Sequence, residues 1–371
     1  MHSRFRLVFL LSLHILVTCL SSTCIFSAEP TLPPKVQWAQ FMGQSGLRRI
    51  YATGGELGEM VNRQVSYQVA KRLDSSPAPL PRINPAESEA EGYVTQFDTL
   101  YPLTPVQKLP VFFRTLVRSA KRIETSKLHS RNDRIDLGVI YAPSAESFLS
   151  LGIGMENTSV DLKYVTGETT GFAFGPRLDA GMRLNNTLAL YLRLEDLKFS
   201  GDNQVSVNTP NGPLSISRDI DNHRSFFQFE SILRLTRQQL QWLPPGMQLG
   251  GMAGIHYLQT WHETNQNNLG QSVIEPFGFH ERLGILRTGA YLSSNLGNSS
   301  DWNAYSELLF DYEFDNNLND VIDESRSVLL RLSIARLFGP GKRLSLEYQG
   351  SLNMDGTRKR NNFVLSTVID F

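Results

Sequence analysis

Three histidines are the first candidates for chemistry in this chain: His256, His262 six residues later in HYLQTWH, and His280. An imidazole acts as a general base when a nucleophile and an orienting acid lie within hydrogen-bond reach. No serine beside these histidines stands in a recognisable nucleophile context, and a spacing of six fits neither helical nor strand-face metal pairing. The glycines of YATGGELGEM are too few and too poorly placed for a phosphate loop. Both cysteines, Cys19 and Cys24, fall within the first 24 residues, so processing at that point leaves no thiolate for a metal or a disulfide. The expectation is a non-enzymatic protein with no cofactor and no metal.

Charged residues at alternate positions form the other chemical pattern. Arg177, Asp179 and Arg183 share one strand face, as do Arg193 with Glu195, Glu230 with Arg234, and Glu307 with Asp311 and Glu313. Arg331 and Glu347 occupy equivalent positions in their own segments. Such a set suits ion pairing inside a polar interior. With 36 basic and 36 acidic residues, the chain has no excess charge to attract nucleic acid.

The elements that must carry these charges change character along the chain. From residue 134 onward the period is two. KRLSLEYQGSLNM sets Leu344, Leu346, Tyr348, Leu352 and Met354 against Arg343, Ser345, Glu347, Gln349, Ser351 and Asn353. About twelve segments of this kind, near the length of tilted membrane strands, fall at 134–142, 146–156, 159–166, 170–184, 187–199, 224–236, 246–261, 281–293, 302–314, 325–338, 341–354 and 361–371. Short turns such as Asn185-Asn186 and Gly339-Pro340-Gly341 alternate with long polar stretches at 200–223 and 262–280. Aromatics collect near segment ends, among them Phe199, Phe226, Trp261, Trp302, Phe314 and Phe338. A secreted β-sandwich also alternates, but its strands are about half this length. The pattern predicts an all-β membrane protein, an antiparallel transmembrane β-barrel of about twelve strands closed so that no backbone group meets lipid unpaired.

Residues 1–28 read as a secretory signal peptide, with two arginines ahead of LVFLLSLHILVTCL and cleavage open between Cys24 and Ala28. Residues 29–130 are proline-rich, with two helical patterns. One runs through Leu57, Met60, Val61, Val65, Val69 and Leu73; the other spans 109–123, its second face carrying Arg114, Arg118, Lys121 and Arg122. The second is expected either inside the lumen, its basic face against Glu307, Asp311 and Glu313, or on a membrane surface. The barrel is then expected over 131–371.

From about residue 110, the chain resembles the C-terminal translocator domain of autotransporters. The shared features are a helix ahead of the first strand, about twelve strands, WNAYSELLFDYEF, the hairpin RLSLEYQGSLNMDG and the terminal strand NNFVLSTVIDF. The resemblance implies location in the outer membrane of a Gram-negative bacterium. It also implies a barrel-assembly signal in Phe363, Leu365, Ile369 and Phe371, with outer-membrane lipid, the assembly machinery and periplasmic chaperones as partners of a monomer. Autotransporters carry a long repeat passenger, whereas only about 80 residues separate the signal from the expected pore helix here, without a repeat. The His-x-Ser-Asn-Gly stretch of twelve-stranded outer-membrane phospholipases is absent, as is any asparagine between 105 and 131 of the kind self-cleaving translocators use. A porin-like small-solute channel and a surface adhesin acting through 200–223 and 262–280 remain as other readings.

Overall fold

A computed structural model describes residues 60–61, 89–103, 111–124, 128–144, 146–162, 166–209, 212–272, 279–295, 301–317, 325–338, 342–354 and 359–370. The expected signal peptide, most of the 57–73 pattern, the Gly339-Pro340-Gly341 turn and Phe371 lie outside these residues.

Thirteen strands form one closed barrel. In chain order they are β1 (Glu89–Pro102), β2 (Val111–Glu124), β3 (Leu128–Ser144), β4 (Ser147–Leu162), β5 (Thr166–Arg183), β6 (Leu188–Thr209) and β7 (Gly212–Leu235). They continue as β8 (Met247–His262), β9 (His280–Asn295), β10 (Trp302–Asn316), β11 (Arg326–Leu337), β12 (Lys342–Asn353) and β13 (Lys359–Asp370). Neighbours in sequence pair antiparallel, and β1 closes on β13 in parallel, from Glu89 opposite Lys359 to Leu100 opposite Asp370. On the outer surface of this seam the Phe363 ring lies 6.2 Å from Tyr93 and 5.5 Å from Tyr348.

Three expectations change. The segments 146–156 and 159–166 are one strand, β4. The barrel starts at Glu89 rather than near 131, so β1 and β2 bring eleven strands to thirteen. The segment 109–123, expected as a pore helix, lies mostly in β2 and belongs to the wall. Its apolar residues fit three- and four-residue steps, yet as a strand they divide differently. Phe112, Arg114, Leu116 and Glu124 are buried inside, whereas Val117 and Lys121 are exposed outside. An inner barrel face that mixes apolar and charged residues hides the period of two that the outer face alone would show.

The barrel is inverted relative to a water-soluble core. Leu151, Phe174, Leu308 and Leu346 are among the outward side chains, each more than half exposed, while Arg193 and Asp311 inside are 0% exposed. An apolar exterior around a polar interior is the distribution for a wall bathed in hydrocarbon. Of the aromatics expected at the rims, Trp302, Phe314 and Phe338 do face outward, but Phe199 and Phe226 turn inward at 3% exposure each.

The turns sort to two ends. Residues 146, 184–187 and 338 lie at one end, together with the close of β13; the stretch 263–272 lies at the other. An odd strand count therefore puts the start of β1 at the long-loop end and the close of β13 at the short-turn end. An even count would have brought both to one side.

Candidate functional site in the barrel lumen

The inward side chains lie in three tiers. Nearest the short turns is an apolar layer that includes Leu100, Phe112, Phe148, Tyr191, Tyr291 and Leu309. At mid-height is a belt of charge. Toward the long loops lies a second apolar layer, formed by Ala173, Leu197, Phe199, Phe226, Leu258, Leu283 and Ile285.

The charged belt is organised around arginines held by carboxylates two residues along the same strand. In β3, Arg134 donates from Nε to both Asp136 oxygens at 3.0 and 3.1 Å and from Nη2 to Oδ1 at 2.7 Å. It also pairs with Glu195 across the lumen and lies 3.6 Å from Glu156. In β5, Arg177 repeats the arrangement with Asp179 at 2.7 and 3.0 Å and reaches Asp136 at 2.9 Å. Arg193 donates to Asp179 at 3.0 Å, and Arg224 lies 3.7 Å from Glu156. Four guanidiniums (Arg134, Arg177, Arg193, Arg224) thus face four carboxylates (Asp136, Glu156, Asp179, Glu195), all 8% exposed or less. Buried charge is tolerated when it is balanced and hydrogen-bonded in this way. Gly154 makes the room: a Cβ there would come within 2.8 Å of both Arg134 Nη2 and Glu195 Oε1.

The belt continues around the wall. Arg287 holds Asp311 through two bonds of 2.7 and 2.9 Å, and Arg331 reaches Glu307 at 3.3 Å. Glu313 accepts from Asn316, and Arg114 holds Asp98 at 2.8 and 3.1 Å. Arg183 sits at the short-turn rim on Glu146, 3.0 Å away. His256 lies 2.7 Å from Glu230 and His262 2.9 Å from Glu281, both imidazoles facing inward. Among the described residues no group of three metal-ligating side chains forms.

The expected meeting of Arg114, Arg118, Lys121 and Arg122 with Glu307, Asp311 and Glu313 does not occur. Arg114 serves Asp98, Arg122 pairs with its strand neighbour Glu124, Arg118 is half-buried in the wall and Lys121 points outward. What enters the lumen instead comes from the other amphipathic pattern. Met60 and Val61 are helical, the only helical residues among those described, and are 2% and 7% exposed within the long-loop apolar layer. Arg134, Asp136, Glu156, Asp98 and Arg287 were missed from sequence. Arg134-Ile-Asp136 carries the same Arg-x-Asp spacing as Arg177-Leu-Asp179, which was the available signal.

The two long polar stretches form one structure. β6 and β7 are the longest strands, at 22 and 24 residues, and most of 200–223 is their paired extension. The stretch 263–272 lies along the free edge of β7: Asn268 N–H donates to Ser217 O, its Nδ2 to Ser215 O, and its Oδ1 accepts from Ser217 N–H. Asn265 Nδ2 donates to Asp219 O at 2.8 Å. Side-chain amides here occupy backbone groups that an edge strand would otherwise offer to another chain. Asn268→Ala removes two of these bonds, so limited proteolysis should cut within 263–272 several-fold faster than in the parent, roughly the effect of about 1 kcal/mol in local opening. An unchanged cutting rate would show that the backbone pairing alone holds the stretch.

No protein-family model matches the chain, and no curated protein matches it in sequence. Among solved structures, the barrel is similar to the translocator domain of the autotransporter NalP from Neisseria meningitidis: 11% identity over 78% of this chain and 91% of that one, TM-score 0.48. It is similar to the β-domain of the Bordetella autotransporter BrkA at 15% identity, covering 70% and 95% of the two chains with TM-score 0.46. The monoaromatic hydrocarbon channel CymD shows 9% identity over 71% and 83%, with TM-score 0.41.

Proposed function

We propose that this chain is a non-enzymatic, monomeric outer-membrane β-barrel of the autotransporter type that holds its own N-terminal segment inside the lumen, rather than an open solute channel. The observation that carries this reading is the burial of Met60 and Val61 against the inward side chains of β5 to β9. The start of β1 at the long-loop end supports it, because the chain ahead of Glu89 then meets the barrel at the side where long loops face the cell exterior. The charged belt narrows the lumen further at mid-height. Planar-bilayer recording tests the reading: full-length protein should be closed and a chain lacking residues 29–88 should conduct steadily. Equal, large conductance from both would make it a porin.

Its partners are outer-membrane lipid, periplasmic chaperones and the barrel-assembly machinery, which would read the terminal strand. Phe363 and Leu365 stand on the outer face of that strand, 45% and 46% exposed, in line with Ile369, while Phe371 lies outside the described residues. Deleting Phe371 should lower the amount of protein in the outer membrane several-fold while leaving the unfolding free energy of refolded protein within about 0.5 kcal/mol of the parent. Normal membrane levels would remove the assembly role from this end.

A surface-recognition role is favoured by the β6–β7 arm with its docked stretch 263–272. Loss of adherence on removing 201–221 would establish it.

A further inference from the structure

On the outer wall, a groove of about 460 Å³ runs across β9 to β13. Small outward residues interrupt the large apolar side chains here, where Ser294, Ala304 and Ser306 adjoin one another through the register of β9 and β10. Leu332, Ile334 and Leu346 stand beside these small residues. The lining is apolar and the groove is open outward, which suits a flexible hydrocarbon chain more than a rigid polar ligand.

One residue gives the groove polarity along its length. Arg336 follows Ile334 on the same outer face of β11, about 7 Å nearer the short-turn end by strand geometry. Its guanidinium lies 5.5 Å from the ring centre of Trp302, its cross-strand neighbour, and 5.0 Å from that of Phe338. Among the described residues its contacts are these ring faces, not a carboxylate. An arginine flanked by rim aromatics is placed to meet a phosphate at the membrane interface, with apolar wall directly beyond it.

We infer that this groove binds one glycerophospholipid of the periplasm-facing leaflet, an acyl chain lying over Ser294, Ala304 and Ser306 and the phosphate on Arg336. The inference rests on the membrane-barrel reading above, which supplies the leaflet and the short-turn side. A flexible tail accounts for a lining of small residues, and the cation accounts for which end holds the head.

Native mass spectrometry of the full chain, refolded into vesicles of phosphatidylglycerol and phosphatidylcholine and then extracted into mild detergent, tests it. The parent should retain one phospholipid, enriched in phosphatidylglycerol. Ala304→Leu with Ser306→Leu should lower the retained fraction about tenfold, since displacing two or so methylenes from apolar contact has that effect. Arg336→Gln should abolish the preference for the anionic lipid, and Thr115→Leu on β2, outside the groove, should change nothing. Equal retention by the filled-groove variant overturns the proposal, as does a parent dimer that this variant loses, because the occupant would then be a second barrel. Failure of every variant to insert into vesicles would instead sink the membrane reading itself.

Discussion

Replacing Arg134 by methionine should destabilise the barrel by about 3–5 kcal/mol, the usual cost of stranding a buried charge whose partner has gone. Arg134 is 2% exposed and is shared among Asp136, Glu156 and Glu195, so its removal leaves four carboxylates facing three guanidiniums with the central contact missing. Lipid around the wall and apolar tiers above and below limit the access of water that would otherwise screen them. Adding Glu195→Gln to the methionine variant should restore much of the loss, because three carboxylates then face three guanidiniums. Arg183 is the internal control: its partner Glu146 is 61% exposed, and Arg183→Met should cost no more than about 1 kcal/mol. Urea titrations in lipid vesicles, followed by heat-dependent gel mobility, give both numbers. Equal midpoint shifts for the Arg134 and Arg183 variants would mean that water reaches the belt and the pairs contribute little.

This belt also shows which parts of the molecule can be read from sequence. Strands β3 and β5 to β13 stand out because their lipid side is largely apolar, and Leu344, Leu346, Tyr348 against Arg343, Ser345, Glu347 can be recognised without a structure. β1 and β2 are hidden by their inner faces. Ala90, Val94 and Leu100 of β1 are buried apolar residues on the luminal side, so apolar residues fall on both parities and the period of two is lost. In β2 the same mixture imitates a helix. The outer halves of β6 and β7 fail differently, for beyond the wall both faces are wet and Gly201, Asn203, Ser215 and Ser217 give no hydrophobic signal at all. The luminal charges were legible as a class, since alternation assigns a face. Their partners were not, because pairing such as Arg134 with Glu195, three strands apart, depends on barrel curvature that no local spacing encodes.

The choice of which amphipathic segment enters the lumen depended on that same missing information, and it leads to a sharp expectation. Met60→Asp with Val61→Asp should convert a closed barrel into one that conducts. Both side chains are nearly fully buried, and each contributes about 1.5–3 kcal/mol of apolar burial as an upper estimate. Aspartates in their place must also leave water for a layer built from Leu197, Phe199, Phe226, Leu258 and Leu283. A combined penalty of about 3 kcal/mol or more shifts a docked–undocked equilibrium by at least about a hundredfold. Met60→Leu with Val61→Ile keeps the apolar contact and should stay closed, which separates lost docking from damage to the chain. Single-channel recordings at fixed potential give the open fraction directly. If the aspartate variant stays closed while a chain lacking residues 29–88 conducts, the seal is made elsewhere in that segment and these two residues only mark its path. If neither conducts, the charged belt closes the barrel without help, and the N-terminal segment is held in the lumen for its own presentation rather than as a stopper.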